Sequence, residues 1–139
     1  MKKIIIATHH KLAEGFKSTL EYIVPNTVEV IDINAYIDNI SVEDQITEEL
    51  NKFNDDEQIF VFTDLLGGSV NQEFAKKISK YNIELISGVN LPLIMTIVLA
   101  FNDRELTKET IRGSIEEAQK QIVYVNDFIK DQQIDDEDE

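Results

Sequence analysis

Two uninterrupted apolar runs set the reading of this chain, Ile4-Ile5-Ile6-Ala7 and Ile59-Phe60-Val61-Phe62-Thr63, and each gives way at once to polar residues. Runs this short, rich in β-branched or aromatic side chains, predict strands buried on both faces. Two further segments, 28–33 and 83–87, are β-branched but carry a charge inside, as strands nearer a sheet edge can. Between the strands, helical periodicity takes over. Leu12, Phe16, Leu20 and Ile23 predict a helix that ends before Pro25. Ser41, with Asp44 three residues on, opens a second helix with Val42, Ile46, Leu50 and Phe53 as its buried stripe. Ser69 with Gln72 fits a capping box for a third, with Val70, Phe74, Ile78 and Tyr81 on its apolar face. Asn90 as N-cap and Pro92 in the first turn predict a fourth helix, read as 93–101. It is apolar on nearly every side and is therefore expected to be buried, against the rest of the chain or a second subunit. Thr107 caps a fifth, with Ile111, Ile115, Ala118 and Ile122 on one face, and 123–125 has strand character. The charged segment 131–139 is expected to be a disordered tail, which leaves one domain over 1–130.

Alternating strands and helices demand a doubly wound α/β fold, a mainly parallel sheet with helices on both faces and right-handed crossovers. The uninterrupted strands belong at the centre and the charged ones outside, which gives the strand order 2-1-3-4. In that order the winding reverses between the first and third strands, and such sheets bind ligands there, beyond the carboxyl ends. The residues delivered to that point are His9 and Asp64.

Composition narrows the class. The 139 residues include 27 acidic and 13 basic ones, a formal charge of −14, which argues against a nucleic-acid partner, since phosphate backbones are bound by clustered Lys and Arg. Cysteine is absent, so neither disulfides nor thiolate chemistry is available. The apolar core of the first residues is too short for a signal peptide, and no run approaches the ~20 residues that span a bilayer, so a soluble, cytoplasmic protein is expected.

An imidazole beside a carboxylate makes a nucleophile or general base, because the carboxylate fixes the tautomer and stabilises positive charge on the ring. Gly67-Gly68-Ser69 before a helix offers close backbone approach and N–H groups to a phosphoryl group. No Walker lysine accompanies it, and no serine or cysteine sits in a nucleophile-elbow setting. The set points to transient phosphorylation of a histidine, a reaction that calls for no cofactor or metal. Two rival readings use the same residues: a metal site of His9, His10 and Asp64, and a phospho-receiver with Asp64 as acceptor. Ser69 could also serve only as a helix cap. His10 is expected to face solvent or to cap, since it points away from His9 if strand geometry continues.

At these residues the chain resembles the mannose-family IIA domain of the bacterial phosphoenolpyruvate-dependent sugar phosphotransferase system. The resemblance rests on Ala7-Thr8-His9, on Thr63-Asp64-Leu65-Leu66-Gly67-Gly68-Ser69 with Asn71, and on Ser87-Gly88-Val89-Asn90-Leu91-Pro92, and it covers roughly 1–125 in order and spacing. It implies that His9 accepts a phosphoryl group from the phosphocarrier HPr and passes it to a IIB domain, which phosphorylates incoming sugar at a membrane IIC/IID complex. It implies that Asp64 orients His9, that Gly68 through its amide, Ser69 and Leu65 form the phosphate-binding set, and that the protein is a homodimer exchanging a C-terminal strand near 122–125. A regulatory module, or the phosphocarrier subunit of dihydroxyacetone kinase, is the alternative within phosphotransfer. The family usually has Gly where this chain has His10. It often carries Thr or Tyr after the aspartate, so Leu65 and Leu66 remove a hydroxyl contact.

Overall fold

The computed structural model describes residues 1–101 and 104–138, with side chains as far as 132. Its elements run β1 (Lys3–His9), α1 (Leu12–Ile23), β2 (Glu29–Ala35), α2 (Val42–Leu50), β3 (Ile59–Thr63), α3 (Ser69–Ala75), β4 (Ile83–Ser87), α4 (Leu91–Ala100), α5 (Lys108–Gln119) and α6 (Val125–Asp138). The strands form one parallel sheet in the order β2-β1-β3-β4, as the placement of charge within the strands predicts.

Period-two alternation divides the core between the two faces of the sheet. Ile4 and Ile6 of β1, Phe60 and Phe62 of β3 and Ile86 of β4 pack with α1, α4 and α5. Ile5, Ala7, Val61 and Ile83 take the opposite side, with α2 and α3. Continued to the strand's end, the same alternation sends Thr8 toward α1 and His9 toward α3. Thr8 Oγ1 accepts from the Ala13 N–H at 2.7 Å, and Asn34 Oδ1 accepts from the Glu14 N–H at 2.9 Å, so two unpaired amides of the first turn of α1 are satisfied from the strands.

The expected caps form at three helices: Ser41 accepts from Asp44, Asn90 from Leu93 and Thr107 from Thr110. Boundaries differ where packing decides. β2 extends to Ala35, two register positions past Ile33, because its last residues pair with Thr8 and His9. α3 ends at Ala75 and passes into tighter turns, in which Lys77 and Lys80 bond three residues back and Ile78 stays exposed.

The C-terminal region departs from the expectation. No strand forms near 122–125; α5 ends at Gln119 and Val125 begins α6. Three residues of strand propensity have no neighbouring strand to pair with in this chain, and the amides of Asp127 and Phe128 instead bond the Tyr124 carbonyl to start a helix. That helix carries on through the tail expected to be disordered as far as Asp138, a stretch with neither Gly nor Pro to break it, and residue 139 lies outside the described residues.

One buried polar side chain fastens the far end of the sheet. Gln58, immediately before β3, donates from Nε2 to the Leu106 carbonyl at 3.0 Å and accepts the Leu106 N–H on Oε1 at 2.8 Å, as a neighbouring strand would. Its loss leaves both Leu106 groups unpaired inside the protein. Gln58→Ala should therefore lower the unfolding free energy by about 2–4 kcal/mol, read from urea denaturation; a change below about 0.5 kcal/mol would show that water replaces the amide.

Candidate functional site

Parallel pairing of β1 with β3 brings two strand ends level, since Ala7 is the register partner of Thr63. β3 ends at Thr63 while β1 runs on to His9 against β2, and just beyond the last shared pair His9 meets Asp64. A single carboxylate oxygen, Asp64 Oδ2, accepts the His9 backbone N–H at 2.9 Å and lies 3.0 Å from His9 Nδ1. Asp64 Oδ1 accepts the Leu65 N–H at 3.0 Å. The imidazole is 35 % exposed and the carboxylate 12 %. Burial is the largest influence on the Asp64 carboxyl and pushes its pKa up, but the His9 backbone N–H, the imidazole hydrogen bond, the charge of a protonated imidazole and a backbone hydrogen bond within Asp64 together outweigh it and hold it below the ordinary carboxylate value. An ionised carboxylate only accepts, so Nδ1 carries the proton that faces it, and in that neutral tautomer the lone pair is on Nε2.

The loop that carries Asp64 is built to stand close to the ring. A Cβ on Gly68 would come within 2.9 Å of His9 Cε1 and 3.2 Å of the Leu65 carbonyl oxygen, so only glycine fits at this approach. Asn71, buried on α3, fixes the loop from beneath. Its Oδ1 accepts from Thr63 Oγ1 at 2.8 Å and its Nδ2 donates to the Leu66 carbonyl at 2.9 Å. The third motif works one strand further out: the Val89 N–H bonds the Thr63 carbonyl at 3.1 Å, Gly88 takes the turn at φ 77°, and Asn90 caps α4.

Four residues take roles the sequence does not give them. Gly68, not Ser69, is the N-cap of α3; Ser69 is the first helical residue, and Gln72 bonds the Gly67 carbonyl at 3.4 Å instead of closing a capping box. The Gly68 N–H is already engaged by the Leu65 carbonyl at 3.1 Å. The Ser69 hydroxyl, free of capping, is hydrogen-bonded to the Tyr36 hydroxyl, and the Tyr36 ring lies 5.7 Å from the imidazole. Tyr36 escapes the sequence reading because a strand ended at Ile33 keeps it away from the site. Its only signal is an aromatic residue with a polar tip just beyond a strand that flanks the switch point.

His10 does not join the cluster. Its backbone turns to φ 56°, its N–H bonds the Ala35 carbonyl at 2.9 Å and its side chain is exposed. Left-handed backbone is natural for glycine and tolerated by histidine, which accounts for the glycine that the resembled family carries here. Among the described residues no group of three His, Asp or Glu side chains is placed to hold a metal ion. Leu65 and Leu66, at 59 % and 78 % exposure, stand out from the loop beside the histidine.

The family described as "PTS system fructose IIA component" matches residues 3–119. The chain belongs to this sugar phosphotransferase IIA family. No curated protein matches it. Among solved structures it is similar to a Klebsiella pneumoniae protein designated a phosphoenolpyruvate-dependent sugar phosphotransferase system permease, with 28 % identity, TM-score 0.80 and coverage of 93 % of this chain and 95 % of that one. It is also similar to phosphotransferase system component EIIA from Streptococcus agalactiae, with 29 % identity, TM-score 0.73 and coverage of 91 % and 98 %. A mannose/sorbose specific IIA subunit from Enterococcus faecalis shares the fold at 17 % identity and TM-score 0.70, covering 88 % of this chain and 94 % of that one. No helix among the described residues of this IIA chain is long and apolar enough to cross a membrane.

Two consequences are measurable. A carboxyl whose pKa is depressed on folding stabilises the protein above its unfolded value, here near 3.8, and loses that contribution as pH falls through the folded value. The stability gap between wild type and Asp64→Asn should be open near neutral pH and close in acid below that value; a gap independent of pH would show that Asp64 is not held ionised. At the neighbouring position, His10→Gly should raise stability by about 1 kcal/mol and His10→Val should lower it by about 1–2 kcal/mol in urea titrations. A Gly variant less stable than wild type would show that the His10 side chain makes a contact of its own.

Proposed function

We propose that this IIA protein is a phosphoryl carrier in which His9 Nε2 takes a phosphoryl group from phospho-HPr and yields it to a IIB domain for sugar uptake. The observation that carries the reading is the paired acceptance by Asp64 Oδ2, which leaves Nε2 as the nucleophilic atom of a ring that can neither turn nor exchange tautomers without breaking a bond. In the step, the Nε2 lone pair forms the new N–P bond while the donor's N–P bond breaks and its electron pair stays on the donor imidazole. The His9 ring, still protonated at Nδ1, becomes cationic, and the Asp64 carboxylate beside it balances that charge. Phosphoryl transfer asks for positioning and charge stabilisation more than for covalent chemistry by the protein, and both are within reach of this arrangement.

The phosphate-binding set of the reading is Gly68, Ser69 and Leu65, modified by the geometry. The Gly68 amide would have to leave the Leu65 carbonyl to meet a phosphoryl oxygen, whereas the first helical amides of α3 have no carbonyl partner within it. The exposed Leu65 and Leu66 offer an apolar margin to HPr or IIB. The same reading pairs the chain with a second copy, and the exposed apolar side chains of Ile122, Tyr124, Val125, Phe128 and Ile129 are the surface such a pairing would cover. Operation at the cytoplasmic face of a IIC/IID complex completes it.

Incubation with phosphoenolpyruvate, enzyme I and HPr should label the protein with acid-labile phosphate. His9→Ala should abolish the label and His10→Ala should retain it. Label that survives in His9→Ala and is lost in His10→Ala would reverse the assignment, and acid-stable phosphate would favour Asp64 as acceptor.

A further inference from the structure

Beyond the His9–Asp64 pair, one residue at the mouth of the site is held in a conformation its side chain disfavours. Tyr36 follows β2 directly with φ 67°, a left-handed backbone that bulky residues adopt only where the surroundings enforce it. Because Ala35 is the register partner of His9, the turn carries Tyr36 over the histidine. The phenol ring lies 5.7 Å from the imidazole, and the Tyr36 hydroxyl is hydrogen-bonded to Ser69 Oγ from the opposite loop. Three elements therefore converge at one point: β1 with the nucleophile, the exit of β2 with a phenol, and the start of α3 with a serine.

The chemistry of that convergence is specific. A pair of hydroxyls owns two protons and spends one on its mutual bond, which leaves one O–H to donate, made a stronger donor by the bond behind it. Ser69 is free for this because Gly68 occupies the capping position. At the ends of the two switch-point strands, the Thr8 hydroxyl is buried against the Ala13 amide and the Thr63 hydroxyl donates to Asn71. Leu65 and Leu66, after Asp64, bring none.

We propose that Tyr36 is a positioning residue for phosphoryl transfer, its hydrogen bond holding the Ser69 hydroxyl beside His9 so that the pair donates to an oxygen of the transferring phosphoryl group. The proposal rests on the reading that His9 accepts that group. The phenol reaches in from the second strand with the hydroxyl that Leu65 does not supply from the third. No proton leaves either hydroxyl: Nε2–P forms, the donor N–P bond breaks with its electrons remaining on the donor ring, and the hydroxyl pair lends its one free O–H to an equatorial oxygen on which transition-state charge gathers.

Single-turnover transfer from phospho-HPr, followed by rapid quench over a range of donor concentrations, tests this on wild type, Tyr36→Phe, Ser69→Ala and the double variant. Tyr36→Phe should cut the maximal transfer rate about tenfold while the half-saturating donor concentration stays within about twofold and the thermal midpoint is unchanged. The double variant should be no slower than Ser69→Ala, because Tyr36 acts through Ser69. A wild-type rate in Tyr36→Phe, a loss confined to the half-saturating concentration, or losses that multiply in the double variant would each overturn the proposal. Absence of label on the wild-type protein overturns the phosphohistidine reading and this proposal with it; normal wild-type labelling beside an unaffected Tyr36→Phe overturns the proposal alone.

Discussion

One carboxylate oxygen holds both ends of a histidine, and the rest of the fold serves that arrangement. Asp64 Oδ2 meets the backbone and the ring of His9 together, which demands that β1 and β3 be adjacent, parallel and level to within a hydrogen bond. Adjacency follows from two strands apolar enough to be buried on both faces. Level ends follow from the register, and the opposed directions of Thr8 and His9 follow from the pleat. A slip of one residue would send the imidazole into the α1 side of the core and leave Asp64 facing an empty strand end.

Much of this was legible in the residues. Charge inside β2 and β4, set against none inside β1 and β3, is enough to order the sheet and find the switch point. The caps at Ser41, Asn90 and Thr107 are local motifs whose hydrogen bonds close within three residues, and at these three helices nothing in the surrounding packing displaces them. His9 and Asp64 are found from sequence because buried strands end abruptly, and abrupt ends are visible. The family resemblance placed the same two residues from a different direction.

What was not legible depends on pairings that no local pattern encodes. Ser69 has every mark of a capping residue, yet Gly68 takes the cap, at a point where the loop runs so close to the imidazole that a Cβ would not fit. The end of β2 is set by Thr8 and His9 on the neighbouring strand, and with it the position of Tyr36. The 122–125 segment has strand propensity without a strand to join, and propensity of that kind is a statement about neighbours. Positive φ at His10 and Tyr36 likewise comes from tertiary constraint on residues that do not announce it.

Asn71 has a consequence of a different order. By tying Thr63 on one side and the Leu66 carbonyl on the other, it fixes the backbone of the loop that carries Asp64 from below. The side chains of Leu65 and Leu66 point outward from that anchored backbone and are engaged in none of its bonds. Their identity is thereby uncoupled from the placement of His9. Lineages of such proteins can redraw the outer face of the loop to suit new neighbours, one substitution at a time, while the His9–Asp64 pair stays where it is; the geometry of the pair and the face of the loop are set by separate residues.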